Sequence, residues 1–90
     1  TIGQLKSLMH LDLGKNLLTS FPGSVCQLTL LNELNISNNR LSTIPESIEQ
    51  LKSLRVLDFS NNHLMPFPEA VKDALKKLKN RGCKIMGYAI

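Results

Sequence analysis

The sequence predicts an α/β solenoid, built from short units that recur at a fixed spacing and closed by a helix at its C-terminal end. The first observation is that the chain overlays itself when Asn16 is laid on Asn39 and Asn39 on Asn62. The second is that each unit holds a short stretch of alternating apolar residues, which is typical of a half-buried strand. The third is that the apolar spacing changes after Pro68 to that of an amphipathic helix.

One asparagine column, one proline column and seven apolar columns carry the repeat. The asparagines are Asn16, Asn39 and Asn62, and the prolines are Pro22, Pro45 and Pro68. The apolar columns are Leu8/Leu31/Leu54, Leu11/Leu34/Leu57, Leu13/Ile36/Phe59, Leu18/Leu41/Leu64, Phe21/Ile44/Phe67, Ile2/Val25/Ile48/Val71 and Leu5/Leu28/Leu51. Such a unit has no second face on which to bury its apolar side, so units must stack in register. We expect a single domain over 1–90, with repeats at about 2–24, 25–47 and 48–70 and a cap at 71–90.

Within each unit the predicted elements follow in a fixed order. An alternating stretch such as Leu34-Asn35-Ile36 predicts a short strand, and the asparagine that follows turns the chain. The proline step then keeps the preceding residue out of the helical region. A short arc with apolar residues at i and i+3, such as Ile48, Leu51 and Leu54, completes the unit.

The C-terminal part departs from this pattern. Val71, Ala74, Leu75 and Leu78 stand at i, i+3, i+4 and i+7, which predicts an amphipathic helix of about three turns. Pro68 suits its first position and Gly82 suits its end. The apolar register slips by about two residues here, and Cys83-Lys84-Ile85 is expected to add a last edge strand. Helix and strand together predict a cap.

Composition excludes several classes of protein. The chain has 90 residues, 42% of them apolar and 20% charged, which fits a soluble globular domain rather than a disordered one. No apolar run approaches the ~18–20 residues that span a bilayer. The two cysteines, Cys26 and Cys83, have no CxxC motif beside them. They favour a reducing compartment, and we expect a cytoplasmic protein without a metal site.

The net charge of +4 comes from the C-terminal end. The predicted basic cap patch consists of Lys72, Lys76, Lys77, Lys79 and Arg81. We expect it on the solvent face and in the last turn of the helix, where cations suit the macrodipole. A solvated cap face is the first interpretation. An acidic protein partner and a nucleic-acid or anionic membrane patch stay open, although the lack of interleaved aromatic residues argues against base stacking.

Catalytic chemistry finds no support in the sequence. The candidate side chains are His10, His63, Asp12, Asp58, Ser37 and Ser60. The histidines stand in different columns, the aspartates are expected two strands apart at roughly 10 Å, and the serines lack a positioned histidine. The chain also lacks a glycine-rich phosphate loop. We therefore expect no enzyme activity, no cofactor and no small-molecule substrate.

The pattern LxxLxLxxNxLxxIPxxIxxLxxL, read from Leu31 to Leu54, resembles the leucine-rich repeat family, most closely its cytosolic 23-residue type. The resemblance covers roughly residues 2–78. It implies a right-handed arc with a parallel sheet on the concave side and loops or short helical turns on the convex side. It also implies that Asn16, Asn39 and Asn62 hydrogen-bond the backbone of neighbouring turns and form an asparagine ladder inside the solenoid.

The resemblance further implies that a protein partner docks on the concave face. The side chains expected there are His10, Asp12, Lys15, Glu33, Asn35, Asn38, Val56, Asp58 and Asn61. Asp or Asn followed by Ser is also common filler in this family, so a solvated polar stripe is the competing interpretation. Leu17 shares its column with Arg40 and His63 and is expected at the surface.

We therefore expect a non-catalytic protein-interaction module, a scaffold or adaptor in signalling, that is part of a longer chain with further repeats. Two alternatives stay open at this point. One is the targeting or substrate-recognition arm of a larger ligase, phosphatase or kinase assembly. The other is the binding of an anionic partner through the basic cap patch. Nucleic acid and membrane are the least favoured partners.

Overall fold

The computed structural model describes residues 6–87, which hold four strands, one α-helix and two 3-10 helices. The strands are β1 (His10–Asp12), β2 (Glu33–Asn35), β3 (Val56–Asp58) and β4 (Lys84–Met86), and the α-helix is α1 (Glu69–Asn80). The 3-10 helices run over Gly23–Gln27 and Glu46–Gln50. No helix in this part of the chain combines the length and apolar character that a bilayer crossing requires.

The four strands form one parallel sheet in the order β1-β2-β3-β4. The register pairs His10 with Glu33 and Glu33 with Val56, so both steps equal the spacing of the sequence repeat. It then pairs Val56 with Lys84, which is a longer step. Sheet and C-terminal helix confirm the predicted fold class, and the even register explains why the apolar columns recur at a fixed spacing.

The core lies between the sheet and the 3-10 helices. The middle repeat contributes five side chains that are inaccessible or nearly so, namely Leu31, Leu34, Ile36, Leu41 and Ile44. Their counterparts one repeat earlier, Leu8, Leu11, Leu13, Leu18 and Phe21, are only partly buried. The rings of Phe59 and Phe67 meet edge to face with centroids 6.1 Å apart, which joins the last repeat to the start of the cap.

Helix α1 closes the C-terminal end of the core. It buries Val71, Ala74, Leu75 and Leu78 and packs against the second 3-10 helix. Pro68 precedes the helix instead of occupying its first turn, because its backbone is extended while its carbonyl accepts the N–H groups of Val71 and Lys72.

Gly82 ends α1 as the sequence predicts. Its φ of 95° lies in the left-handed region, which glycine adopts without steric cost. The Gly82 N–H donates to the carbonyl of Lys79, and the Cys83 N–H donates to that of Leu78. This pair of bonds is a Schellman motif, which satisfies carbonyls that the helix end would leave without donors.

Strand β4 differs from the prediction in two ways. It covers Lys84–Met86 rather than Cys83-Lys84-Ile85, and Cys83 is buried just before it. If the repeat spacing continued unchanged, Val56 would pair with Lys79. Its partner is Lys84, so the shift in register is five residues, whereas the sequence predicted about two. The reason is that the 12-residue helix α1 replaces a shorter 3-10 helix. The cap therefore needs a longer connection to bring its strand back into line.

Candidate functional site

The face of the sheet that points away from the core carries two rows of side chains. One row runs through His10, Glu33, Val56 and Lys84, and the other runs through Asp12, Asn35, Asp58 and Met86. The residue between the two rows in each strand points into the core, because successive side chains of a strand alternate between its faces. The repeat thus places one member of each row on every strand.

All of these side chains except that of Lys84 line a shallow groove of about 320 Å³, which we call the concave groove. Six of the nine predicted concave residues line it, namely His10, Asp12, Glu33, Asn35, Val56 and Asp58. Met86 also lines the groove, and sequence reasoning missed it because the predicted last strand ended one residue too early. The other three predicted residues, Lys15, Asn38 and Asn61, do not line the groove.

One row of the concave groove is anchored to the turns behind it. The Asp12 carboxylate accepts a hydrogen bond from the Gly14 N–H at 2.8 Å. In the next repeat, Asn35 Oδ1 accepts both the N–H and the hydroxyl of Ser37, at 2.9 and 2.6 Å. Such Asx turns satisfy backbone groups where a strand ends.

Asp58 repeats this arrangement with Ser60, whose N–H and hydroxyl lie 3.0 and 2.7 Å from Oδ1. The recurring Asp/Asn-x-Ser pattern therefore has a structural role. Within residues 6–87 no hydrogen bond engages Oδ2 of Asp12 or of Asp58. One oxygen of each carboxylate is used by the fold, and the other faces the groove without a partner from the described chain.

The concave groove is negatively charged, although the chain as a whole is positive. Asp12, Glu33 and Asp58 line it, and His10 is the one lining side chain that can carry a positive charge. His10 Nδ1 lies 3.2 Å from Glu33 Oε2 on the adjacent strand. Both side chains are more than half exposed, so this pair adds little stability. Val56 and Met86 give the groove an apolar stretch beside its carboxylates.

The turn that follows each strand contains a residue in the left-handed conformation. Lys15, Asn38 and Asn61 have φ values of 59°, 57° and 57°. Asparagine tolerates this region better than residues with other side chains, glycine excepted. In the pairs Asn38-Asn39 and Asn61-Asn62 the first asparagine is therefore favoured by the backbone, whereas the sequence predicted it only as a residue of the concave face. The recurrence of Asn before the ladder position was the signal for it.

The second asparagine of each pair bridges two repeats. Asn39 Oδ1 accepts the N–H of Leu18, and its Nδ2 lies 3.0 Å from the carbonyl of Leu13. The same Nδ2 also reaches the carbonyls of Ile36 and Ser37 within its own repeat. Asn39 is 4% exposed, so these bonds satisfy groups that water cannot reach.

Asn62 makes the corresponding bonds one repeat later. Its Oδ1 accepts the N–H of Leu41, and its Nδ2 lies near the carbonyls of Ile36, Phe59 and Ser60. Asn16 is exposed, and its amide reaches the carbonyls of Leu13 and Gly14 in its own turn. Three stacked amides thus follow the solenoid axis, and the middle one is the most enclosed.

The basic cap patch is not one uniform solvent face. Lys77 Nζ lies 3.3 Å from a carboxylate oxygen of Glu49, and Arg81 donates to the backbone carbonyl of Glu49 at 2.7 Å. Lys72 pairs with Glu69 at 3.6 Å within the first turn of α1. Lys77 in α1 and Arg81 just after it therefore both reach Glu49 in the second 3-10 helix. Two members of the predicted patch therefore help to dock the cap.

Neither cysteine has the surroundings of a reactive thiol. Cys26 and Cys83 are free and buried. Burial raises the pKa of Cys83 to about 11, and it also raises the pKa of Cys26, partly offset by a hydrogen bond from Ser47. A raised pKa keeps the thiol protonated and weakly nucleophilic. In residues 6–87 no three His, Cys, Asp or Glu side chains lie close enough together to hold a metal ion.

Comparisons with known proteins agree with this repeat architecture. The family model for the leucine-rich repeat matches residues 6–64. A leucine-rich repeat protein of Leptospira interrogans is 38% identical, with a TM-score of 0.77, over 93% of this chain and 20% of that one. No curated protein sequence matches the chain.

Two internalins of Listeria monocytogenes share the fold. The functional domain of InlJ, which includes a cysteine ladder, is 21% identical with a TM-score of 0.69, over 97% of this chain and 21% of that one. The internalin InlF is 20% identical with a TM-score of 0.63, over 99% of this chain and 31% of that one. The chain spans less than a third of the length of each of these three solved structures.

Proposed function

Because the chain belongs to the leucine-rich repeat family, whose members generally serve as protein–protein interaction modules, we propose that it binds a protein partner in its concave groove. The observation that carries the proposal is that all four strands contribute side chains to one groove. The groove holds three carboxylates beside the apolar side chains of Val56 and Met86. Its role is recognition without catalysis, as in a scaffold or adaptor.

The rigidity of the sheet supports this role. The Asx turns fix Asp12 and Asp58 before a partner arrives, so binding loses little side-chain entropy. Their second carboxylate oxygens accept no hydrogen bond from the described chain. A basic side chain of the partner fits this arrangement, with its cationic group on the carboxylates and its aliphatic part along Val56 and Met86.

The small size of the groove supports an interface to which further repeats contribute. Four strands at ~4.8 Å spacing form a strip only about 15 Å wide. A stable protein interface covers about 800 Å² on each partner. We propose that the chain acts within a longer array whose additional strands extend the same surface.

Charge reversal in the groove tests the proposal. We expect the double variant Asp12→Arg, Asp58→Arg of the full-length protein to lose at least tenfold in partner capture from lysate, measured by affinity purification with mass spectrometry. The variant Asp12→Asn, Asp58→Asn keeps the turn acceptors, as Asn35 does in the middle repeat, and removes only the charge. It separates lost recognition from a damaged turn.

Two controls are needed to interpret the result, one for charge and one for folding. Lys76→Glu changes charge on the exposed side of α1 and should leave capture unchanged. Melting temperatures of all variants establish that they fold. If the Asp→Arg variant is folded and captures the same partners at the same level, the concave groove is not the binding surface.

We place the protein in the cytoplasm. Both cysteines are free and buried, as is usual where thiols stay reduced. Fractionation of cells that produce the full-length protein tests this placement. Recovery with extracellular or membrane-enclosed markers would contradict it.

A further inference from the structure

A second groove lies where the last repeat meets the cap, at the edge of the sheet where the strands begin. It has a volume of about 450 Å³ and shares no lining residue with the concave groove. Its lining residues are Asn32, Lys52, Ser53, Leu54, Arg55, Arg81 and Gly82. Lys52 and Arg55 carried no functional prediction from the sequence, because they stand in separate columns and far along the chain from Arg81. We call this surface the cationic groove.

Three different parts of the fold bring the cations together. Lys52 follows the second 3-10 helix, Arg55 directly precedes β3, and Arg81 follows α1. No aspartate or glutamate lines the groove. Within the described part of the chain neither Lys52 nor Arg55 forms an ion pair, so their charges are not neutralised internally.

The groove is held in place by the backbone around it. The Arg55 N–H donates to the carbonyl of Asn32, and the Arg55 carbonyl accepts the N–H of Lys84, both at 2.7 Å. Arg81 is fixed by its bond to the backbone carbonyl of Glu49. The Glu49 carboxylate lies 3.3 Å from Lys77, so this nearby negative charge already has a cationic partner.

The combination of Arg55 with Arg81 is particular to this junction. The column of Arg55 holds Met9 and Asn32 in the earlier repeats, whereas Lys52 and Ser53 have counterparts in Lys6 and Ser7. The cationic groove forms where the cap brings Arg81 and Gly82 against the last repeat.

We propose that the cationic groove binds a phosphorylated serine or threonine side chain of a protein partner. A phosphate monoester carries a charge of nearly −2 and three strong acceptor oxygens. Two guanidinium groups and an ammonium group match that charge, and arginine can meet phosphate oxygens with two parallel hydrogen bonds. The hydroxyl of Ser53 and the amide of Asn32 supply neutral donors beside them.

The shape of the groove favours a peptide over other phosphate carriers. Its volume exceeds that of a phosphate group and leaves room for flanking peptide residues. No aromatic side chain lines it, so nucleic-acid bases have no stacking platform. Lys52, Arg55 and Arg81 line one groove rather than a flat face, which suits one phosphate group better than a membrane surface. This binding does not depend on the concave groove.

The test measures binding of a fluorescein-labelled glycine–alanine pentapeptide with one central phosphoserine to the full-length protein, by fluorescence anisotropy. We expect saturable binding that weakens at least tenfold when the peptide carries serine instead of phosphoserine. Arg55→Glu and Lys52→Glu should each weaken binding at least tenfold. Lys76→Glu makes the same charge change outside the groove and should alter it less than twofold.

Further arms separate the alternatives. Arg55→Gln serves if Arg55→Glu fails to fold, and the variant Asp12→Asn, Asp58→Asn should bind the phosphopeptide normally. Equal loss in Lys76→Glu would show diffuse charge attraction and overturn the proposal. Inorganic phosphate competing as well as the phosphopeptide would overturn the peptide assignment. Stronger competition by oligouridylate or by phosphatidylserine vesicles would do the same.

Discussion

Asn35, Asn38 and Asn39 lie close together in the middle repeat, and each meets a different physical requirement. Asn35 accepts hydrogen bonds from Ser37 where the strand ends. Asn38 adopts a left-handed backbone conformation. Asn39 joins its repeat to the one before. At the scale of single residues, the frequency of asparagine reflects turn geometry and buried backbone groups rather than catalysis.

Replacement of Asn39 by leucine should destabilise the protein. The substitution leaves the Leu18 N–H without its acceptor inside the solenoid and removes the amide donor shared by the carbonyls of Leu13 and Ile36, which should lower the free energy of unfolding by about 1–3 kcal/mol. Urea unfolding followed by circular dichroism measures the change. Asn16→Leu is the matched control, because Asn16 is exposed and bonds only within its own turn, and its effect should be smaller. A wild-type midpoint for Asn39→Leu would refute the structural role.

Lys15 is the residue whose conformation fits its side chain least well. It occupies the left-handed position that Asn38 and Asn61 hold in the other two repeats. Lys15→Asn should therefore raise the free energy of unfolding by up to about 1 kcal/mol, since the left-handed strain is lower for asparagine. Lys15→Ala should give no such gain. Equal stability of the two variants in urea would contradict this explanation.

The elements of the fold were predicted unevenly from the sequence. The strands, the helix α1 and its end at Gly82 followed from apolar spacing and from glycine, because both report local backbone requirements. The position of β4 did not follow, since Cys83-Lys84-Ile85 alternates apolar and polar residues while Lys84-Ile85-Met86 ends in two apolar ones, so that only the paired register reveals the strand.

The candidate site was also predicted only in part, because local alternation can be read from the sequence and the register between strands cannot. Six of the concave groove's side chains followed from alternation within a strand. Met86 could not be found without the true register of β4. The cationic groove depends on how α1 packs, which brings Arg81 to Lys52 and Arg55 across a separation that no short motif spans.

The turn after β4 depends on glycine at position 87. Gly87 has a φ of 109°, and a Cβ atom there would lie 2.6 Å from the backbone nitrogen of Ser60 and 2.8 Å from the carbonyl carbon of Phe59. Gly87→Ala should therefore lower the free energy of unfolding by about 2–4 kcal/mol, through backbone strain and overpacking. Gly23→Ala, where a Cβ meets nothing within 4 Å, should be close to neutral in the same thermal melt. Equal melting temperatures would contradict the clash.

At the scale of the whole molecule, the repeats and the cap share one buried core. The two thiols lie in different parts of the chain, Cys26 in the first 3-10 helix and Cys83 beside β4, and both are enclosed. Exposing either one requires the stacked layers to open. Their titration therefore reports on the folded state as a whole rather than on a local site.

Stability should fall as the pH rises from about 9 to about 11. The pKa of Cys83 is raised from 9.0 to about 11 in the folded state by burial. In that window the unfolded chain releases the thiol proton while the folded chain keeps it, so the unfolded state binds fewer protons and becomes relatively more stable. Urea midpoints across this range measure the slope. Cys83→Ala should show a shallower decline, and an identical decline would assign the effect to other groups.

The equal steps from β1 to β2 and from β2 to β3 make length an adjustable property of this architecture. If segment 33–55 were duplicated, the second copy would lie directly before Val56. Val56 would then still pair with a Glu33 equivalent in the preceding strand. Each such insertion would lengthen the sheet by one strand, or ~4.8 Å. Recombination between units would thus extend or shorten the array without disturbing the cap, whose longer step from Val56 to Lys84 sets it apart from the repeats. The cationic groove would travel with the cap, whatever the number of repeats before it.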